Sequence, residues 1–122
     1  MKKIIVDTNA LMAMAEFRID LLSEIEQICD FPYQVYVLSG TILELHKIIE
    51  EQKNKYQRIA KLALSLLKHQ LKVLPEEGDV DDLLAEHSLK EDIIVTQDIL
   101  LKKRLTKPYL TIRQKKKVMM VR

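Results

Sequence analysis

Acidic side chains recur in this sequence directly after short apolar segments or in the first turn of a predicted helix. Asp7 ends an Ile-Ile-Val run, and Asp98 closes the polar triplet that follows a second Ile-Ile-Val run. Glu44 lies one turn into a predicted helix, and the neighbouring pair Asp81 and Asp82 lies in the first turn of another. Carboxylates that are brought together repel one another, and a hard divalent cation with oxygen ligands relieves the repulsion. The set therefore predicts a Mg²⁺ site that could activate water and offset charge on a phosphodiester.

Each of these carboxylates also has a purely structural explanation. Glu44 fits a capping box with Thr41, in which the glutamate bonds back to the start of the helix. Asp82 would favour a helix N-terminus through the helix dipole. Asp7 and Asp98 suit turns at the ends of strands. Four independent caps need not converge on one edge of a fold, so the metal hypothesis depends on the set as a whole.

Alternating strand and helix patterns predict an α/β fold, a parallel sheet with helices on both faces. The predicted strands are 3–6, 33–38, 71–74, 92–95 and 109–113, with a further edge segment at 118–121. Six helices are predicted. Two have the ranges 10–16 and 41–52, and two more begin after the caps Asp20 and Asn54. A fifth starts at Asp79 or Asp81, and the last is a basic helix that ends at Leu105. Ligands of such sheets bind outside the carboxyl ends of the strands, where Asp7 and Asp98 lie.

Composition limits the classes of protein that this chain can be. The 122 residues are 48% hydrophobic and 31% charged, which predicts one globular domain over residues 1–122. No apolar run approaches the roughly 20 residues that span a bilayer, so no membrane partner is expected. The apolar run after Met1 is too short for a signal peptide, so we expect a cytoplasmic protein.

Thiolate and histidine chemistry have little support in the sequence. Cys29 is the one cysteine, which excludes an internal disulfide and a thiolate zinc site within one chain. His46, His69 and His87 show no ligand spacing, and we expect the last two at helix ends on the surface. A glycine-rich phosphate loop and a serine-nucleophile motif are missing, so nucleotide hydrolysis and acyl transfer lack their usual residues.

The net charge of +2 conceals an asymmetry along the chain. Nine basic and no acidic residues lie between Ile99 and Arg122, whereas the preceding residues hold 11 basic and 18 acidic ones. An acidic body with a basic end can bind a cation in one place and a polyanion in another. Within the basic segment 102–122, the predicted phosphate contacts are Lys102, Lys103, Arg104, Arg113, Lys115, Lys116 and Lys117. The alternative is that these residues only solvate a surface.

These motifs resemble those of the PIN-domain ribonucleases. The resemblance is carried, in chain order, by VDTNALM, LSGTILELHKI, DVDDLLAEH and IIVTQDILLKKRL. The ending YLTIRQKKKV is similar to that of archaeal relatives of the eukaryotic PIN endonucleases that process small-subunit ribosomal RNA. The resemblance covers essentially the whole chain. It implies a three-layer α/β/α sandwich whose parallel strands have the order 3-2-1-4-5.

The resemblance also implies an activity and a set of site residues. The activity is a Mg²⁺- or Mn²⁺-dependent endoribonuclease that cleaves single-stranded RNA to a 5′-phosphate and a 3′-hydroxyl. The implied catalytic and metal-binding residues are Asp7, Glu44, Asp82 and Asp98, with Asp81 as the alternative to Asp82. Thr8, Asn9 and Thr96 would orient the carboxylates by hydrogen bonding. Asp82 is favoured over Asp81 because Leu83, Leu84 and Ala85 then follow it in the family's pattern.

Several settings remain open for such a chain. The first is ribosomal RNA maturation, with precursor rRNA as substrate and ribosome-assembly proteins as partners. The second is the toxin of a toxin–antitoxin pair, and the third is a catalytically inactive RNA-binding PIN module. An acidic phosphoacceptor domain fits less well, because Ile112 and Arg113 do not supply the lysine that it needs. The sequence leaves the oligomeric state open, a homodimer included.

Overall fold

The computed structural model describes residues 1–122, apart from the side chain of His69. The strands are β1 (Lys2–Val6), β2 (Tyr33–Leu38), β3 (Lys72–Leu74), β4 (Ile93–Val95), β5 (Tyr109–Arg113) and β6 (Lys117–Val121). The helices are α1 (Thr8–Phe17), α2 (Leu21–Ile28), α3 (Ser39–Glu51), α4 (Lys55–Gln70), α5 (Val80–Leu89) and α6 (Ile99–Lys102). The strands form one sheet in the order β3-β2-β1-β4-β5-β6.

The first five strands are parallel, and β6 pairs antiparallel with β5 at the edge of the sheet. This arrangement confirms the predicted order 3-2-1-4-5 and the predicted edge segment near 118–121. Since β1 lies at the centre, between β2 and β4, its carboxyl end is the point at which the strand order reverses. Ligand sites of open parallel sheets are found at this point.

Alternate residues of the central strands point to two separate hydrophobic cores. Ile4 and Val6 belong to the core that side chains of α1, α2 and α4 complete. Ile5 belongs to the opposite core, which includes Leu84 of α5 and Leu101 of α6. Burial on both faces explains why β1 is a continuous apolar run rather than an alternating one. The predicted three-layer α/β/α architecture is therefore confirmed.

Two helices differ from the sequence expectation. Helix α3 begins at Ser39 rather than Thr41, and its N-cap, Leu38, makes no side-chain capping bond. The capping box proposed for Thr41 and Glu44 is therefore not formed. The basic helix expected to reach Leu105 ends three residues earlier, as the short helix α6.

His87 was expected on the surface, and this expectation is wrong. The side chain is buried, and its ring nitrogens lie 2.8 Å from Asp92 Oδ2 and 2.7 Å from Glu76 Oε1. It thus joins the loop after β3 to the loop before β4. The side chain of His69, for which a surface position was also expected, lies outside the described residues. Among the described residues, no helix combines the length and the apolar composition needed to cross a bilayer.

Gly40 lets α3 approach the start of α5 closely. A Cβ atom at this position would lie 2.8 Å from Val80 Cγ2, which is shorter than any ordinary contact. Val80 is buried and β-branched, so it has little freedom to move aside. The absence of a side chain at Gly40 therefore fixes the distance between the helices that carry Glu44 and Asp81.

We expect Gly40→Ala to lower the free energy of unfolding by about 1–3 kcal/mol, the usual cost of overpacking a core. Urea denaturation monitored by circular dichroism measures this change. The control is Ser65→Ala on an exposed position of α4, which should change stability by less than about 0.5 kcal/mol. Equal stability of Gly40→Ala and the wild type would mean that the helices separate at no cost.

Candidate active site

Asp7 lies at the carboxyl end of β1 and is the N-cap of α1. Only 5% of the residue is exposed. Its Oδ1 accepts a hydrogen bond from the Thr8 backbone N–H at 2.8 Å, and its Oδ2 accepts one from the Thr96 hydroxyl at 2.8 Å. Burial raises the pKa of Asp7, these two hydrogen bonds lower it, and the charges of Asp81 and Asp98 raise it further. The protein thus buries a carboxylate beside other carboxylates, an arrangement that favours a positively charged ligand.

Thr96 connects the ends of the two central strands. It is fully buried, and its hydroxyl donates to Asp7 Oδ2 while it accepts a bond from the Asp98 backbone N–H at 3.1 Å. Asn9 adds a second link, since its Oδ1 accepts a hydrogen bond from the Gln97 backbone N–H at 3.0 Å. Asp7 and Asp98 are therefore held at the same edge of the sheet, as the positions of the two strands predicted.

Gln97 is a structural residue of the site that the sequence analysis did not identify. Its Oε1 accepts bonds from the Thr111 hydroxyl at 2.8 Å and from the Ile112 backbone N–H at 2.6 Å. Its Nε2 donates to the Ile112 carbonyl at 3.1 Å. The side chain thus continues the pairing between β4 and β5, whose backbone register includes the single pair Val95 and Leu110. It anchors β5 to the polar triplet.

Asp98 has both of the roles considered for it. Its Oδ1 accepts bonds from the backbone N–H groups of Leu100 at 2.9 Å and Leu101 at 3.1 Å, so it caps α6. Its charge also raises the pKa values of Asp7 and Asp81. A capping role and membership of the acidic cluster are therefore compatible.

Glu44 faces the cluster from the first turns of α3. The residue is largely exposed, yet its carboxylate is partly enclosed, and this loss of solvent raises its pKa. The charges of Asp7, Asp81 and Asp79 raise the pKa further, and the Thr8 hydroxyl, which approaches the carboxylate, lowers it. Although the buried Thr8 hydroxyl approaches Glu44, it has no partner within hydrogen-bonding distance and angle among the described residues.

The tandem aspartates of α5 point in different directions. The Asp82 side chain is 61% exposed and forms an ion pair with Arg104, with Oδ1 2.6 Å from Nη2. Asp81 is less exposed, and partial burial followed by the charge of Asp98 raises its pKa, whereas Arg104 lowers it. Asp79 caps the helix and also raises the pKa of Asp81. The charge of Asp81 thus acts on Asp7 and Glu44, whereas Asp82, which the sequence favours, faces Arg104.

We call Asp7, Glu44, Asp81 and Asp98 the carboxylate cluster. All of its donors are hard oxygen atoms, which is the ligand type that Mg²⁺ and Mn²⁺ prefer. Among the described side chains, no three His, Cys, Asp or Glu residues already stand close enough to hold an ion. The cluster thus fits a divalent cation in ligand chemistry and charge, but it is not closed into a coordination shell.

The predicted phosphate contacts fall into two groups. Lys102 is partly buried near Asp98 and Arg113; burial lowers its pKa, the Arg113 charge lowers it further, and Asp98 raises it. The remaining residues are exposed on the turn after α6 and on the β5–β6 hairpin: Lys103, Arg104, Arg113, Lys115, Lys116 and Lys117. Arg104 binds Asp82, and Lys115 Nζ lies 5.2 Å above the Phe17 ring. Positive charge therefore begins beside Asp98 and continues onto the hairpin.

Comparison with known proteins supports the resemblance noted in the sequence. Ribonuclease VapC4 of Methanocaldococcus jannaschii is 28% identical over 123 aligned positions, which cover 95% of this chain and 94% of the relative. The structure of the PIN domain endonuclease Utp24 matches with a TM-score of 0.77 and 20% identity, over 98% of this chain and 91% of that one.

A second solved structure matches the fold less closely. A chain of VapBC2 from Rickettsia felis, bound to a DNA fragment from its promoter, matches with a TM-score of 0.60 and 16% identity. That match covers 84% of this chain and 95% of the other. The structural matches establish the fold. The sequence model of the PIN like domain matches residues 4–115, and the chain therefore belongs to this family.

Proposed function

We propose that this protein is a divalent-metal-dependent endoribonuclease that hydrolyses phosphodiester bonds of single-stranded RNA at the carboxylate cluster. The observation that carries the proposal is the buried Asp7 carboxylate, which is surrounded by the charges of Asp81, Asp98 and Glu44. A protein that only bound RNA would gain nothing from concentrated negative charge beside its basic surface. The ribonuclease named among the relatives supports the same activity.

The proposed metal ligands are Asp7, Glu44, Asp81 and Asp98, for Mg²⁺ or Mn²⁺. A cation at this site would activate water and offset negative charge on the phosphodiester. Thr96 holds Asp7 by its hydroxyl, and Asn9 holds the backbone of the polar triplet, so both orient carboxylates rather than bind the ion. Lys102 and Arg113 are suited to a phosphate next to the scissile one, because Lys102 lies near Asp98 and Arg113 lies near Lys102.

Two biological settings have support. The motif at 109–117 resembles that of the rRNA-processing PIN endonucleases, which favours precursor rRNA as substrate and ribosome-assembly proteins as partners. The 28% identity to Ribonuclease VapC4 favours a toxin, in which case an antitoxin would be the partner. The hydrolysis reaction is the same in both settings, whereas the RNA substrate and the protein partner differ.

Asp7→Asn should lower the rate of Mn²⁺-dependent cleavage of a 5′-labelled single-stranded RNA by at least about 10²-fold, and should remove the cost in stability that ionisation of Asp7 imposes at neutral pH. Because the folded-state pKa of Asp7 is raised above the ordinary value of 3.8, its ionisation costs stability once the pH exceeds the raised pKa. The stability gain should therefore be largest at pH 7 and small below pH ~4. Single-turnover assays and thermal melts measure the two effects, and undiminished cleavage would remove Asp7 from the mechanism.

The tandem aspartates provide a matched pair. Asp81→Asn should lower the cleavage rate by orders of magnitude, whereas Asp82→Asn should change it by less than about threefold. The Asp82 carboxylate forms an exposed ion pair, and such pairs contribute only about 0–1 kcal/mol. Single-turnover rates at saturating Mn²⁺ make the comparison. If Asp82→Asn were the more damaging change, the assignment of the third ligand would return to Asp82.

Replacing Lys115, Lys116 and Lys117 with alanine should weaken RNA binding and flatten its dependence on salt. Each lost phosphate contact to a single strand reduces the slope of log K against log salt by about 0.7, so the triple variant should lose up to about 2. Fluorescence anisotropy at several salt concentrations gives the slope. Lys90→Ala, an exposed lysine at the end of α5, is the control. An unchanged slope in the triple variant would leave the hairpin lysines without an RNA contact.

A further inference from the structure

A recess of about 280 Å³ lies between α1 and the junction of α3 with α4. Its lining residues are Met12, Ile48, Gln52 and Tyr56, and we call it the tyrosine recess. Met12 lies four residues after Thr8 on α1, and Ile48 lies four residues after Glu44 on α3. Residues four apart share a helix face and are separated by about 6 Å along the axis. The recess therefore continues the cleft in which Thr8 and Glu44 approach each other.

The residues of the tyrosine recess suit a flat heteroaromatic ring. Tyr56 is 58% exposed, so its ring is accessible for stacking. Met12 and Ile48 provide apolar walls, and the exposed Gln52 amide offers both hydrogen-bond donors and an acceptor. Single-stranded RNA is bound in this manner, with unpaired bases stacked on aromatic rings and their edges bonded to polar side chains.

The segment that follows the recess along α4 is basic, whereas the exposed Glu50 and Glu51 lie directly before Gln52. The segment from Gln52 to Gln70 contains five basic residues and no acidic one. Lys53, Lys55 and Arg58 are exposed within three residues of Tyr56, and Lys55 pairs with Glu16 at 2.8 Å. A polyanionic backbone is favoured next to this surface, whereas an uncharged apolar peptide would gain nothing from these lysines.

We propose that the tyrosine recess binds one unpaired base of the RNA whose phosphodiester lies at the carboxylate cluster, with the base stacked on Tyr56. The inference rests on the proposed function and adds a site that selects single-stranded RNA. A base held in a duplex cannot enter the recess without leaving its pair, whereas an unpaired base enters freely. The recess thus excludes double-stranded RNA from productive binding, and the Gln52 amide contributes to base preference.

The test combines protein variants with abasic RNA. The Asp7→Asn protein, which should bind without cleaving, is titrated by anisotropy with a labelled single-stranded RNA of mixed sequence and with copies carrying one abasic nucleotide at successive positions. One abasic position near the bond that the wild type cleaves should weaken binding about tenfold, the order expected for one base–aromatic stack. With the Asp7→Asn/Tyr56→Ala protein, the RNA that is abasic at this position should bind at most about twofold more weakly than intact RNA. Asp7→Asn/Tyr56→Phe should behave like its parent, since the ring is kept.

Leu89→Ala in the Asp7→Asn background is the matched control, because Leu89 is 74% exposed and lies at the end of α5. It should leave the abasic profile unchanged. Two results would overturn base binding in the recess while leaving the nuclease proposal intact. One is an abasic effect that persists in Asp7→Asn/Tyr56→Ala, and the other is equal affinity of intact RNA for this protein and for Asp7→Asn. A change in sedimentation of Tyr56→Ala with unchanged RNA binding would identify a protein contact instead and would also overturn it. A wild type that neither binds nor cleaves RNA would overturn both proposals.

Discussion

The hydrogen bond from the Thr96 hydroxyl to Asp7 Oδ2 is the interaction on which the arrangement of the site depends. It crosses from β4 to β1, two strands far apart in sequence, at the point where strand order reverses. Asp7 is buried at the end of β1, and without this donor one of its oxygens would have no hydrogen bond among the described residues. The same hydroxyl accepts the Asp98 N–H, so one side chain sets the positions of two acidic residues.

This geometry works against the stability of the fold. Asp7 and Asp81 each have a pKa raised first by burial and then by neighbouring carboxylates, so both are ionised at a cost at neutral pH. Helix capping explains single members, since Asp98 caps α6, but it does not require several carboxylates at one edge. Local stability is sacrificed where a site must bind something, and the gathering of charge here follows that pattern. The excess negative charge is what a divalent cation would neutralise.

The fold and the main acidic positions were predictable because their signals are local. Continuous β-branched runs indicated strands buried on both faces, and a carboxylate directly after such a run indicated Asp7 and Asp98. The different surroundings of Asp81 and Asp82 were not predictable locally, since they depend on the approach of Arg104 from another element. His87 and Gln97 were missed for the same reason: their partners lie up to 11 and 15 residues away, and no motif marks them. Local patterns therefore located the edge of the sheet, whereas the partners of individual side chains depend on tertiary contacts.

Gln97 also connects the acidic and basic parts of the molecule. Its amide holds both backbone groups of Ile112, and the next residue, Arg113, begins the hairpin that carries the exposed lysines. Its backbone N–H bonds Asn9, beside Asp7 and Thr8. Because β4 ends at Val95, the Gln97 side chain substitutes for strand pairing that the backbone no longer provides. The carboxylate cluster and the basic hairpin are therefore connected through the Gln97 amide as well as through the backbone bond from Thr96 N–H to the Leu110 carbonyl.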